Sequence, residues 1–235
     1  MKRAVILIAS LLLFCSPEIV MNDSGRTSMK SLNLRPQSVD SLIWGQKISA
    51  EDCAVVRQVA IAILADANDM MACMAWEGNK EFSPKTKNFA GSSGTGMIQV
   101  MIDTVKYTPE IFRHCQGKMN PDFVSSAALD HQIEKAMEII AGMTFSEYMY
   151  HVVKPYFWPY RGRIGNLPDL YMAILRPLSI GKPMNSVMFV NDLNRHKDTY
   201  DMNNGLDANK DNVITKAEAC APVMRMYEEG KSYLR

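Results

Sequence analysis

The sequence predicts a mostly α fold, on three observations. Apolar residues recur at three- and four-residue spacing through much of the chain. Capping residues stand ahead of several of these stripes. No run of alternating apolar and polar residues is long enough to build a sheet. With 235 residues, 47% of them hydrophobic, the chain has the material for one large domain, or for one domain with a small appendage. A formal charge of +1 gives no electrostatic case for a nucleic-acid partner.

The N-terminus reads as an export element. Lys2 and Arg3 precede an apolar run from Ala4 to Phe14, the pattern of a signal peptide. That run is shorter than the roughly 20 residues a membrane-spanning helix needs. Residues 1–20 are assigned to this segment, cleaved near Cys15 to Met21 or retained as an anchor. Residues 21–42 are polar enough to be a loosely ordered linker. The five cysteines, Cys15, Cys53, Cys73, Cys115 and Cys220, contain no Cys-x-x-Cys pair, which argues against zinc and dithiol redox chemistry. If Cys15 leaves with the leader, four remain for up to two disulfides in an oxidising compartment. Cys73 reads as a core thiol.

Ser49 caps the first predicted helix, with Asp52 three positions on and Val55, Val56, Val59, Ile63 and Leu64 as its stripe. Asp66 to Asp69 ends that helix and opens the next, Met70 to Trp76, whose methionines suit irregular core packing. This helix runs into a single carboxylate, Glu77. A loop from Lys80 to Gly94 follows, with room for a short hairpin, Phe82 wedged to the core and Pro84 as a stop. Ser125 or Ser126 caps a helix reaching Ala141, with Leu129, Ile133, Met137 and Ile140 on one face and Gly142 as stop. Phe145 to Tyr160 is dense in aromatic residues, most of them expected in the core.

Glu77 is the residue of greatest chemical interest. A carboxylate at the end of an apolar helix is desolvated, which raises its pKa and suits it to general acid work. The bland reading, a surface charge followed by an ordinary turn, loses weight because a Gly-rich turn and Gln99 follow in order. Glu77, Phe82-Ser83-Pro84, and Gly94-Thr95-Gly96-Met97-Ile98-Gln99 together resemble the soluble lytic transglycosylases and goose-type lysozymes, most closely their phage-associated members. Lys154-Pro155-Tyr156-Phe157 and Asp169-Leu170-Tyr171-Met172-Ala173 extend the resemblance, which covers most of Trp44 to Glu218.

The resemblance implies a lysozyme-like catalytic domain over residues 43–200. It implies cleavage of the β-1,4 bond between N-acetylmuramic acid and N-acetylglucosamine in peptidoglycan strands, by a monomer that meets a membrane only through an uncleaved N-terminus. Glu77 would be the catalytic acid, and Ser93, Thr95, Met97, Gln99 and Tyr171 would bind substrate. Tyr171 reads equally as a helix-packing residue. No second carboxylate stands out, Asp103 being the nearest, so a one-carboxylate reaction with a 1,6-anhydro product leads over hydrolysis by a muramidase. A wall-binding or virion structural module without activity is the alternative from another class.

Residues 201–235 carry a separate motif. Asp207, Asn209, Asp211, Val213, Thr215 and Glu218 occupy the ligand positions of a twelve-residue calcium loop, and Ile214 its apolar anchor. Asn212 stands where glycine is usual, and Asn is the next residue most tolerant of a left-handed backbone. A structural Ca2+ is therefore expected, held by an EF-hand-like loop that leads into a C-terminal helix.

Overall fold

The computed structural model describes residues 41–88, 92–192 and 197–235. The proposed leader and nearly all of the linker lie outside the described residues. The fold is mostly α. Among the described residues eleven α-helices follow in order: α1 (Ala50–Ile63), α2 (Ala67–Glu77), α3 (Ile102–Tyr107), α4 (Pro109–Gln116), α5 (Pro121–Ser126), α6 (Leu129–Gly142), α7 (Phe145–Tyr148), α8 (Lys154–Phe157), α9 (Leu167–Leu175), α10 (Lys197–Asn203) and α11 (Lys216–Gly230). No single helix among the described residues is long and apolar enough to cross a membrane.

The middle of the molecule is α2. Nine of its eleven residues are buried, including Met70, Met71 and Met74. A helix apolar on every side must be enclosed by other elements. Here α11 encloses it most extensively, with α9 and α1 completing the wall. Asp66 starts α2 by accepting from the amides of Asn68 and Asp69. Ser49 starts α1 as expected, accepting from Asp52 N at 3.0 Å. The stripe Val56, Val59 and Ile63 is buried, while Leu64 leaves the helix in a left-handed conformation.

The C-terminal helix belongs to this core and is not an appendage. One apolar cluster runs from Leu42 to Val223. Leu42 and Arg235 exchange backbone hydrogen bonds of 2.7 and 3.1 Å. The Trp44 indole donates to Met226 O and its ring stacks on Tyr233.

Three local expectations are corrected. Ser125 and Ser126 end α5 and do not cap α6; Asn120 followed by Pro121 is a stronger start signal just upstream, and both hydroxyls donate back to Asp122 O. Leu129 is exposed, unlike Ile133, Met137 and Ile140. A small antiparallel pair also forms, β1 (Val187–Val190) with β2 (Val213–Thr215), placing Ile214 opposite Phe189. Its β-branched residues suit extended backbone, but each strand is too short to show as an alternating run.

Between α7 and α8 the chain makes a π-helical turn, Met149–Val153, in which Lys154 N donates to Met149 O five residues back. Pro155 explains it. A proline has no amide to donate and its ring collides with the carbonyl four residues earlier, so widening the preceding turn avoids a break.

The cysteines Cys53, Cys73, Cys115 and Cys220 are all buried free thiols. The room left for two disulfides is thus unused among the described residues. Burial pushes the Cys115 thiol up to about 11 and Cys220 to about 12, so both stay protonated and unreactive.

Candidate active site

Glu77 is the last residue of α2 and is 9% exposed. Its Oε1 is buried with no hydrogen-bond partner among the described residues. Burial alone drives its pKa from 4.5 to about 8. The carboxyl group is therefore protonated at neutral pH and holds a proton it can give away.

Three tyrosines lie within electrostatic reach of Glu77: Tyr148, Tyr156 and Tyr171. None of the hydrogen bonds these phenols make goes to the carboxyl group. Tyr148 donates to Thr95 O at 3.0 Å, and Tyr156 to Ala173 O at 3.0 Å. Tyr171 accepts from the Trp76 indole at 3.2 Å. None of these bonds relieves the isolation of the buried acid, and burial is what raises its pKa. Tyr148 and Tyr156 are site residues that the sequence reading left among the general core aromatics. Their local density was visible, but the π-helical turn that orients them was not.

The Gly-rich turn abuts the end of α2. A Cβ built on Gly78, next to Glu77, would lie 3.4 Å from Met97 Cα. Thr95 makes isolated antiparallel bridges to Lys87 and to Val100. Gly96 has φ +81°, and a Cβ there would lie 2.4 Å from the Tyr148 ring. The turn needs glycine at this position for the backbone angle and for the close approach alike. At Gly94 a Cβ would meet Gln99 Oε1 at 2.8 Å.

The expected substrate-binding residues divide into two groups. Ser93 is partly exposed; its hydroxyl accepts from Ile102 N and so caps α3. Gln99 is 4% exposed with φ +50°, its amide donating to Gly96 O at 2.8 Å while its Oε1 has no partner among the described residues. Thr95, Met97 and Tyr171 are fully buried. For Tyr171 the packing reading is the one the structure favours: it backs the acid and does not face solvent. Asp103 lies exposed on α3.

In the Asp207–Glu218 loop two residues, Lys210 and Asn212, have left-handed backbone. Asn212 has φ +67°. Asp207 accepts from Lys210 N at 2.7 Å and Asn212 N at 3.0 Å, and also from the Tyr200 phenol at 2.6 Å. Asp211 and Asn209 bond to each other. Glu218 closes a capping box with Thr215 through Oε2, while its Oε1 is buried without a partner among the described residues. These oxygen donors, with the Val213 carbonyl, suit a hard cation, and the orphaned Glu218 oxygen is a group such an ion would satisfy. Among the described residues, however, no three His, Cys, Asp or Glu side chains are grouped as metal ligands. The loop's carboxylates are instead turned onto amides and hydroxyls.

Lys216, in the same loop, was not foreseen as a structural residue. It is 2% exposed and its ammonium bonds Asp169 at 2.6 Å, Lys182 O at 2.8 Å and Ser179 O at 3.1 Å. With all its donors engaged, the buried charge is compensated. Burial pushes the Asp169 carboxyl up, but Lys216, Gly181 N and Asn166 outweigh it and hold its pKa below the ordinary value. The loop is thereby locked to α9, the helix that carries Tyr171.

Comparison with family models, with curated proteins and with solved structures finds no match to this chain.

Proposed function

We propose that this protein is a lytic transglycosylase that cleaves peptidoglycan strands between N-acetylmuramic acid and N-acetylglucosamine. The observation that carries this reading is the Glu77 carboxyl group, buried among tyrosines, unpartnered at Oε1 and protonated up to about pH 8. Glu77 gives its proton to the leaving glycosidic oxygen. The carboxylate so formed then takes the proton of the sugar's own 6-hydroxyl, whose oxygen closes on the anomeric carbon. The partly exposed Ser93 end of the Gly-rich turn holds the sugar, and buried Gln99 positions that turn from behind through its bond to Gly96 O. The protein acts outside the cytoplasm, reached through the N-terminal export segment, and works as a monomer.

The direct test is turbidity. Purified protein should clear a suspension of peptidoglycan sacculi. No clearing under any pH between 5 and 9, with the protein folded, would favour the wall-binding or structural reading. The clearing rate should hold through neutral pH and fall as pH rises past about 8, where Glu77 loses its proton. A rate that keeps climbing above that point would mean that the working acid is another group.

We further propose that Asp207, Asn209, Asp211, Val213, Thr215 and Glu218 hold a structural calcium ion. The ion would neutralise the loop's acidic side chains and stiffen the entry to α11. A ligand that binds only the folded state stabilises it by about 2.7 kcal/mol at a hundredfold excess over its Kd. Calcium should therefore raise the melting temperature by roughly 5–10 °C, and Asp207→Ala should remove the rise. Equal melting in calcium and in chelator would sink this assignment.

A further inference from the structure

The strap that follows the candidate acid, residues 78–82, is held in an unfavourable backbone conformation. Asn79, Lys80 and Phe82 have φ of +51°, +63° and +47°. Left-handed backbone suits glycine, and for a residue as bulky as phenylalanine it is an outlier. Such residues cost free energy and persist where their surroundings over-determine them, most often at functional sites. The strap starts at the residue after Glu77 and turns back on α2. Lys80 N donates to Ala75 O at 2.8 Å, and Glu81 N to Gly78 O at 3.1 Å.

Two side chains tie the strap to the C-terminal helix. Lys80 Nζ is bonded to Glu229, near the end of α11, and lies 5.6 Å from the Trp44 ring centroid. Phe82 is 5% exposed, its ring centroid 6.0 Å from that of Trp44. Trp44 is itself fixed to α11 through Met226 O. A carboxylate at a helix C-terminus is disfavoured by the helix dipole and gains from a cation. Lys231 answers Glu228 from three residues on, whereas Glu229 is answered by Lys80 from across the fold. On its other side the strap reaches the Gly-rich turn. Glu81 accepts from Thr86 Oγ1 at 3.1 Å, and Thr86 O accepts from Gly96 N at 2.7 Å. The strap thus joins the end of α2, α11 and the Gly-rich turn.

We propose that Lys80 is a positioning residue for Glu77, clamping the strap onto Glu229 of α11 and so holding the carboxyl group in its buried place against the Gly-rich turn. Its bearing on catalysis rests on the reading of Glu77 as the acid. Its bearing on the Glu77 proton does not. The clamp acts through position and not through the charge of Lys80 on the acid, since burial alone is what shifts Glu77. The two effects have opposite signs. Taking a cation away from a carboxyl group raises its pKa, whereas letting water reach a buried one lowers it.

The test follows the Glu77 carboxyl by carbon NMR against pH, its signal identified by its loss in Glu77→Gln, alongside the clearing of sacculi. Lys80→Ala keeps a Cβ on the left-handed backbone and removes only the clamp. It should lower the Glu77 midpoint by about one pH unit or more from its value near 8 and slow clearing roughly 10- to 100-fold. Glu229→Ala, which changes the far end of the clamp, should do the same. The two together should do no more than either alone, and Lys80→Arg should restore both readouts. The ion pair is partly exposed, so melting should move by a few degrees at most. An unchanged midpoint in both alanine variants overturns the clamp. A raised midpoint in Lys80→Ala would make Lys80 a direct electrostatic partner and overturn it too, as would an effect that Glu229→Ala does not share. If the unsubstituted protein clears nothing, the enzymatic reading falls, and the midpoint still decides the clamp.

Discussion

Glu77→Gln is expected to lower the clearing rate roughly 100- to 10,000-fold, the range over which general acid groups contribute. Glutamine keeps the shape of the side chain and has no acidic proton to give. The same substitution should stabilise the fold, and the sign follows from the pKa. In the unfolded chain Glu77 ionises near its ordinary value of 4.5, whereas in the fold it holds its proton to about 8. Above pH 4.5 the unfolded state gains from ionisation that the folded state forgoes, so stability falls as pH climbs from there to about 8. An amide carries no such penalty. The substituted protein should be more stable at pH 8 by on the order of a few kcal/mol, with no gain at pH 4. Lost activity with raised stability marks a group kept for chemistry at the fold's expense. Lost activity with lowered stability at pH 8 would mean that Glu77 is a structural residue.

Gly96→Ala is expected to produce the largest structural effect. The backbone there has φ +81°, and the new Cβ would lie 2.4 Å from the Tyr148 ring. The left-handed angle costs about 1–2 kcal/mol for a residue with a Cβ, and overpacking a full core costs about 1–3 more. A fall in melting temperature of roughly 5–15 °C should result. Clearing should drop as well, because Tyr148 holds the Gly-rich turn that abuts the end of α2. Gly142→Ala is the control: nothing lies within 4 Å of a Cβ at that position. Similar melting for the two substitutions would show that the Tyr148 ring yields at no cost.

What could be read from the sequence was what local chemistry decides. The Ser49 cap and the methionine packing of α2 depend on residues within a few positions of one another and are found as expected; the break expected over Asp66 to Asp69 ends at Asp66, which caps α2 from Ala67 on. The start of α5 was also local, but Asn120-Pro121 outcompeted the later serines. Gly96 was legible as a turn residue, whereas its need to admit the Tyr148 ring, 52 residues on, was not. The Lys216–Asp169 pair joins residues 47 apart, and neither side chain carries a pattern that marks the other. For Tyr171 the sequence left packing and substrate contact as equal readings, because the Trp76 indole that donates to its hydroxyl comes from a different helix. The candidate acid itself was legible because desolvation at the end of an apolar helix is local too.

The most direct measurement is the mass spectrum of the muropeptides released from purified sacculi. If Glu77 is the sole catalytic carboxylate, nothing is placed to activate water on the far face of the sugar, and the tethered 6-hydroxyl is the better nucleophile. The products should end in 1,6-anhydro-N-acetylmuramic acid, lighter by one water than hydrolysed ones, and Asp103→Asn should leave their yield unchanged. Reducing-end products, together with a large loss of rate in Asp103→Asn, would contradict the account and make the protein a two-carboxylate muramidase.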